Sequence, residues 1–195
     1  MSDARLHQLE RAWAESGAEG DAARYLHERV RQGDLTFERL ELAAYCGHEA
    51  ARRVAGKVAV PPSFNAQIEG LERWGRAVMV RAGHAALAQS FRAQRTDTLE
   101  ARAVQAVESW LDDAPGATVS VLESWRALHE EYWEGVTEAA PLTLAYADAV
   151  TCVCRAVIGQ GWVRSTVQAF RHLADPFAGW ETAQRALRLW ALGPR

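Results

Sequence analysis

The sequence has almost no pattern typical of β-strands, and of its 22 basic residues only Lys57 is a lysine. One β-branched cluster exists, at Val58 and Val60, but it stands directly before Pro61 and Pro62 and is too short to form a sheet. Elsewhere the apolar residues recur at helical spacing. We therefore expect an all-α fold.

Cysteine is scarce, and Cys46, Cys152 and Cys154 form no disulfide framework, which favours a reducing, cytoplasmic location. Cys152 and Cys154 are two residues apart, which places them about 200° apart around a helix, so they do not share a metal-ligand face. They are expected to be buried as small apolar residues. His129 lacks the second histidine four residues on that a zinc-binding helix needs. We predict neither a metal nor a cofactor.

The sequence also lacks long apolar runs and an excess of basic charge. No stretch approaches about 18 uninterrupted apolar residues, and the start, "MSDARLHQLERAW", has no apolar segment of a secretory signal. A membrane protein is therefore not expected. The formal net charge of -3 argues against a general nucleic-acid binder. There is no glycine-rich phosphate loop and no nucleophile elbow, so we predict a protein that is not an enzyme.

What is present fits a helical protein of ordinary composition, with 49% hydrophobic and 24% charged residues and eight tryptophans. Helices joined by short loops pack as antiparallel neighbours, which predicts about nine helices in an antiparallel bundle or a HEAT-like α-solenoid. The two prolines at 61 and 62 divide the chain into a short-helix module, 1–60, and a helical bundle, 61–195. The segment 65–94 is predicted to be one long, central, buried helix.

The segment "LELAAYCGHEAARRVAG" (40–56) indicates two short helices that meet at a glycine. Thr36 is a suitable N-cap for the first helix, and Leu35 and Leu40 are placed as a hydrophobic staple. Gly47 permits the left-handed backbone that ends this helix.

Two helices in this arrangement, residues 36–55, are also compatible with a DNA-reading helix-turn-helix. Ala43 and Gly47 have the right spacing, but His48 and Arg53 stand where apolar residues are expected. Residues 1–60 carry nine basic and ten acidic side chains, which gives no field for phosphate binding. A DNA-binding regulator therefore stays an alternative, and a nucleic-acid partner is not expected.

The stretch "ESWRALHEEYWEGV" carries the strongest functional pattern. Trp125, His129 and Trp133 recur at helical spacing as one aromatic stripe, and Glu130 and Glu134 lie at its margin. Aromatic anchors inside a charged rim are typical of a protein-binding surface. The other interpretation is a core helix with tryptophans packed inward and solvated glutamates.

Arg76, Arg81 and His84 form a second candidate group on the long helix. Arg81 and His84 are three residues apart and could hold an anion together, which would make the protein a small-ligand-binding helical bundle. The alternative is that these side chains pair with glutamates of adjacent helices.

Two parts of the chain resemble known families. "ERLELAAYCGHEAARRV" (38–54) is similar to a short helix-pair module at the start of many uncharacterised bacterial proteins, in which small residues surround a central Gly-His. "GLERWGRAVMVRAGHAAL" (70–87) and "ARAVQAVESWLDDA" (101–114) resemble immunity proteins of polymorphic-toxin systems. Where that family has Arg-Pro-Arg before its alanine-rich helix, this chain has "TLEARAV" (98–104).

The resemblance implies a cytoplasmic bacterial protein that binds and blocks a partner toxin, and it supplies no catalytic residue. We therefore expect a non-catalytic protein–protein interaction protein, with an immunity protein as the specific hypothesis. Neither the partner nor the oligomeric state follows from the sequence.

Overall fold

A computed structural model describes residues 2–91, 98–114, 116–134 and 141–193 of the chain. Within these ranges the backbone forms eleven α-helices, one 3-10 segment and one π-helical segment, and no β-strand. The all-α class is thus confirmed, whereas the predicted number of about nine helices is wrong. The arrangement as bundle or solenoid stays a prediction.

The elements follow one another with short connections. In chain order they are α1 (Ser2–Ser16), α2 (Glu19–Gln32), α3 (Phe37–Tyr45), α4 (Glu49–Ala55), α5 (Phe64–Glu69), the 3-10 segment (Gly70–Trp74), α6 (Arg76–Phe91), α7 (Leu99–Leu111), α8 (Ala117–His129), the π segment (Glu130–Glu134), α9 (Pro141–Val157), α10 (Trp162–Arg171) and α11 (Pro176–Leu192).

The chain divides into two compact units, which differ from the predicted domains at the C-terminal end. Unit 1 comprises Met1–Val60 together with Leu187–Arg195, and unit 2 comprises Pro61–Ala186. The bundle that the sequence predicts spans 61–195, but the last residues of this range belong to unit 1.

Hydrogen bonds within unit 1 explain this assignment. The side chain of Arg29 donates to the carbonyl of Leu192. The guanidinium of Arg39 donates to the carbonyl of Trp190 and lies 5.0 Å from the centre of the Trp190 ring. These two arginines thereby satisfy carbonyls at the end of α11 that have no partner within the helix.

The corner between α3 and α4 forms as its local sequence predicts. The Thr36 side chain accepts a hydrogen bond from the backbone N–H of Arg39 at 3.3 Å, which caps α3. Gly47 has φ +90°, the left-handed conformation that ends a helix. His48, which does not fit a helix-turn-helix pattern, caps α4: its Nδ1 accepts from the backbone N–H of Ala51 at 3.2 Å.

Unit 2 is built around α6 and α9. α9 packs against α6, α7, α8 and α10, and residues 149–154 along it are all buried. Gly83 of α6 permits a close approach, because a Cβ there would lie 3.0 Å from the Val153 Cγ2 atom. Both α6 and α9 therefore lie at the centre of unit 2, whereas the sequence predicts a central position only for the segment that contains α6.

The predicted single helix over 65–94 is wrong. The segment is broken into α5, the 3-10 segment and α6. Gly75, which lies just before α6, has φ +88° and ψ 175°, a conformation that no α-helix contains. Residues 92–94 of the prediction lie outside the described residues.

Candidate functional site

Three side chains at four-residue spacing form a row along α8 and the π segment. The ring centre of Trp125 lies 5.6 Å from that of His129, which in turn lies 6.0 Å from that of Trp133. Trp125 and His129 are partly buried, whereas Trp133 is 43% exposed. We name these three residues the aromatic ladder. The structure brings the predicted stripe together, and its role in binding stays a prediction.

The π segment keeps Trp133 in line with the other two rings. Four residues overshoot one turn of an α-helix by about 40°, so each ring of such a row rotates away from the previous one. A π-helical turn contains more residues, because it closes with an i to i+5 hydrogen bond. Four residues of a π segment therefore rotate by less than one full turn. The change from α to π geometry after His129 therefore turns Trp133 back toward the His129 ring.

Tyr132 ties the π segment to α7. Its hydroxyl donates a hydrogen bond to Oε1 of Glu100, a buried carboxylate. Burial and then this hydrogen bond raise the pKa of Tyr132. The Tyr132 ring also meets Trp133 edge-on, with 5.9 Å between the ring centres. The exposed Trp133 ring is thus held by neighbours on two sides.

The aromatic ladder lines a cavity of about 290 Å³, which we name the ladder cavity. The other lining residues are Thr151 and Arg155 on α9 and Gln160 in the turn before α10. Sequence reasoning missed these three residues. The four-residue spacing of Thr151 and Arg155 places them on one helix face, but no local signal shows that this face lies opposite α8.

Two of the lining residues, Trp125 and Thr151, each carry a buried polar atom, Nε1 and Oγ1 respectively, that has no hydrogen-bond partner in the described part of the chain. Thr151 is only 9% exposed. Buried polar groups in proteins are nearly always hydrogen-bonded, and an indole N–H can only donate. The ladder cavity therefore differs from an ordinary apolar packing gap.

A second cavity of about 380 Å³, which we name the outer cavity, shares Arg155 and Gln160 with the ladder cavity. Its other lining residues are Gly161, Arg164, Ser165 and Gln168. It lies at the N-terminus of α10, where the N-cap Gly161 offers no side-chain cap. Neither Arg155 nor Arg164 forms an ion pair with any described residue. Positive charge therefore accumulates at this end of the two cavities.

Of the two glutamates predicted at the margin of the ladder, the structure describes one side chain. Glu130 is exposed. The backbone of Glu134 belongs to the π segment, whereas its side chain lies outside the described residues. The last residues of the quoted stretch, 135–136, also lie outside them.

The second candidate group lies on α6, and its two arginines contact the C-terminal end of α7. The guanidinium of Arg76 lies 5.5 Å from the centre of the Trp110 ring, and Arg81 donates to the carbonyl of Leu111 at 3.1 Å. Burial lowers the pKa of His84, which disfavours the charged imidazolium. Each arginine stabilises a part of α7, and joint anion binding with His84 stays a prediction.

The basic residues of the helix pair α3–α4 have partners within unit 1. Arg52 lies 3.7 Å from Glu49 and donates to the carbonyl of Ala44 at 3.0 Å. Arg53 pairs with Glu19 at 2.8 Å. A DNA-reading helix needs such side chains to contact phosphates or base edges, and these contacts disfavour that alternative.

The three cysteines are free and buried, and burial is predicted from the sequence for Cys152 and Cys154. Burial raises the pKa of Cys46 and Cys154 to about 12 and that of Cys152 to about 11. Since the thiolate is the reactive form, these thiols are not nucleophiles at neutral pH. Among the described residues, no group of three or more His, Cys, Asp or Glu side chains could hold a metal ion.

Comparisons with protein-family models, with curated proteins and with solved structures find no match for this chain. The similarity to immunity proteins noted from the sequence therefore stays a resemblance. In the described ranges, no helix is both long enough and apolar enough to cross a membrane.

Proposed function

We propose that this protein is a non-catalytic binding protein that contacts a protein partner through the aromatic ladder. The observation that carries the proposal is the state of Trp133, which is 43% exposed and yet held by His129 and Tyr132. An exposed tryptophan in a fixed position gains apolar contact on binding and loses little conformational entropy. Tryptophan is also enriched among the residues that dominate interface energies.

The more specific hypothesis is an immunity protein that covers and blocks a toxin. It is supported by the resemblance of residues 70–87 and 101–114 to that group of proteins. The exposed Glu130 and Glu131 next to the ladder supply negative charge at the rim, which would steer a basic partner toward it.

Substitution of Trp133 by alanine tests the proposal. We expect the affinity for the partner to fall at least about 30-fold, the loss typical of a dominant interface residue. The thermal unfolding temperature should change little, because the side chain is 43% exposed and its ring contacts with His129 and Tyr132 lie within the same helical stretch. The matched control is Val119→Ala, since Val119 is a 58% exposed apolar residue at the other end of α8.

The measurement needs the partner. A tagged full-length chain is purified from its host, the co-purifying protein is identified, and its binding is measured by calorimetry with the wild type and both variants. Co-expression of the partner then tests protection, which the wild type and Val119→Ala should give and Trp133→Ala should not. Equal affinity of wild type and Trp133→Ala would refute the role of the ladder.

A further inference from the structure

The two cavities beside the aromatic ladder offer hydrogen-bond donors and positive charge to a ligand. Arg155 belongs to both cavities, and Arg164 lies in the outer cavity. The first backbone N–H groups of α10 have no side-chain cap at Gly161, and helix N-termini favour negative charge. Among the residues whose side chains the structure describes, no aspartate or glutamate lines either cavity. The chemical group that complements these walls is an anion.

The side chain of Thr151 gives a second, independent indication of a ligand. It is about nine-tenths buried, it lines the ladder cavity, and its hydroxyl has no hydrogen-bond partner in the described part of the chain. A threonine in a helix ordinarily bonds to a carbonyl of the preceding turn. A hydroxyl left without a partner beside a cavity that also holds Arg155 can donate to an acceptor placed there after rotation about χ1.

The opposite wall is aromatic. The rings of His129 and Trp133 are nearly parallel to each other, with planes 30° apart, and both line the cavity. Flat rings bind other flat or apolar groups by offset stacking. The volume of about 290 Å³ lies at the small end of ligand pockets. The ligand is therefore small, with an apolar part at one end and an anionic part at the other.

We propose that the ladder cavity binds a carboxylate joined to a flat apolar group. Arg155 and the Thr151 hydroxyl donate to the carboxylate, while His129 and Trp133 contact the flat group. Two kinds of ligand carry such a group: a free aromatic acid, and the C-terminal aromatic residue of a partner chain. The proposal uses residues of the proposed interface, but it does not depend on a protein partner.

Titration of the full-length, ¹⁵N-labelled protein with benzoate tests the proposal by nuclear magnetic resonance. The indole N–H signals of Trp125 and Trp133, identified as those lost in Trp125→Phe and Trp133→Phe, should shift in a saturable manner. Arg155→Gln should weaken benzoate binding at least about tenfold, because it removes a charged hydrogen bond. The matched control is Arg126→Gln, since Arg126 is an exposed arginine next to Trp125 that does not line the cavity.

Three results would overturn the proposal. They are the absence of a saturable shift with benzoate, shifts that spare both indole groups, and binding of neutral benzamide as tight as that of benzoate. Equal binding by wild type and Arg155→Gln would refute the assignment of the carboxylate to Arg155. The two-dimensional spectrum of each variant verifies that it is folded.

The source of the carboxylate is resolved with the tripeptide Gly-Gly-Phe. Tighter binding of this peptide than of benzoate supports the site with a partner's C-terminus as its source, and tighter binding of benzoate supports it with a free acid. Equal binding of the peptide and its C-terminal amide contradicts carboxylate recognition. These assays contain no protein partner, so their failure is distinct from an unchanged partner affinity in Trp133→Ala.

Discussion

Glu28 is a buried carboxylate whose charge is stabilised by its own helix. In α2 it accepts hydrogen bonds from Arg31 Nε at 2.9 Å and from Gln32 Nε2 at 2.8 Å. These bonds, that of Arg31 first, hold the pKa of Glu28 at about 2, below its ordinary value of 4.5. Because the folded-state pKa is the lower one, the carboxylate stabilises the fold above pH 4.5, and this contribution is lost as the pH falls toward 2.

Glu28→Gln should therefore lower stability at neutral pH and have little effect in acid. Glutamine keeps the size of the side chain but not the charge that Arg31 contacts. We expect the difference in unfolding free energy between wild type and variant to be constant from pH 7 to about 5 and to shrink between about 4.5 and 2. Urea unfolding curves at pH 7, 4 and 2.5 measure it. A difference that is the same at all three pH values would contradict the role of the charge.

Single residues also show which features the sequence can predict. Thr36 and Gly47 mark the ends of α3 as expected, because a cap and a left-handed glycine act on the backbone beside them. Gly75 is a residue whose conformation the sequence alone does not predict. A glycine inside a helical pattern fits either a tolerated helix residue or a break, and only the surrounding fold selects its φ of +88°.

At the level of elements, the packing of α6 on α9 depends on the missing side chain of Gly83. A Cβ at this position would lie 3.0 Å from Val153 Cγ2, closer than side chains normally approach. Valine has a stiff χ1, so the contact cannot be relieved by a simple rotation. Alanine at position 83 would favour the helix by about 1 kcal/mol, but overpacking a core costs about 1–3 kcal/mol.

A double-mutant cycle separates these two effects. We expect Gly83→Ala to destabilise the wild type, and to be neutral or stabilising in a Val153→Ala background where the obstructing methyl groups are absent. The coupling free energy from urea unfolding should be about 1–2 kcal/mol, within the range for residues in contact. If the two substitutions are simply additive, Gly83 does not set the distance between these helices.

In the candidate site, too, the residues that lie along one helix could be predicted, whereas the residues brought near by packing between helices could not. The row Trp125, His129 and Trp133 could be predicted, because four-residue spacing along one helix is visible in the sequence. Thr151 and Arg155 could not, because they face the ladder only through the packing of α9 on α8. The π segment has no known sequence signal in this stretch. It became visible only in the backbone of the structure.

At the scale of the whole chain, unit 1 combines residues from both ends of the sequence. Leu187 and Ala191 are fully buried, and the carbonyls of Trp190 and Leu192 accept hydrogen bonds from arginines of α2 and α3. The sequence did not predict this, because α11 has one continuous helical pattern in which no residue marks a change of unit. The consequence is that residues 1–60 depend on a segment more than 120 residues away along the chain.

A chain ended after Ala186 should therefore lose the structure of residues 1–60. Loss of a single buried leucine costs about 2–5 kcal/mol, and a small domain has about 5–15 kcal/mol in total. Removal of Leu187 together with the acceptors of Arg29 and Arg39 should leave α1 to α4 largely unprotected. Hydrogen exchange followed by mass spectrometry measures this, with a chain ended after Gly193 as the control that keeps every one of these contacts. If peptides from residues 1–60 exchange equally slowly in both chains, the first four helices hold together without the end of α11.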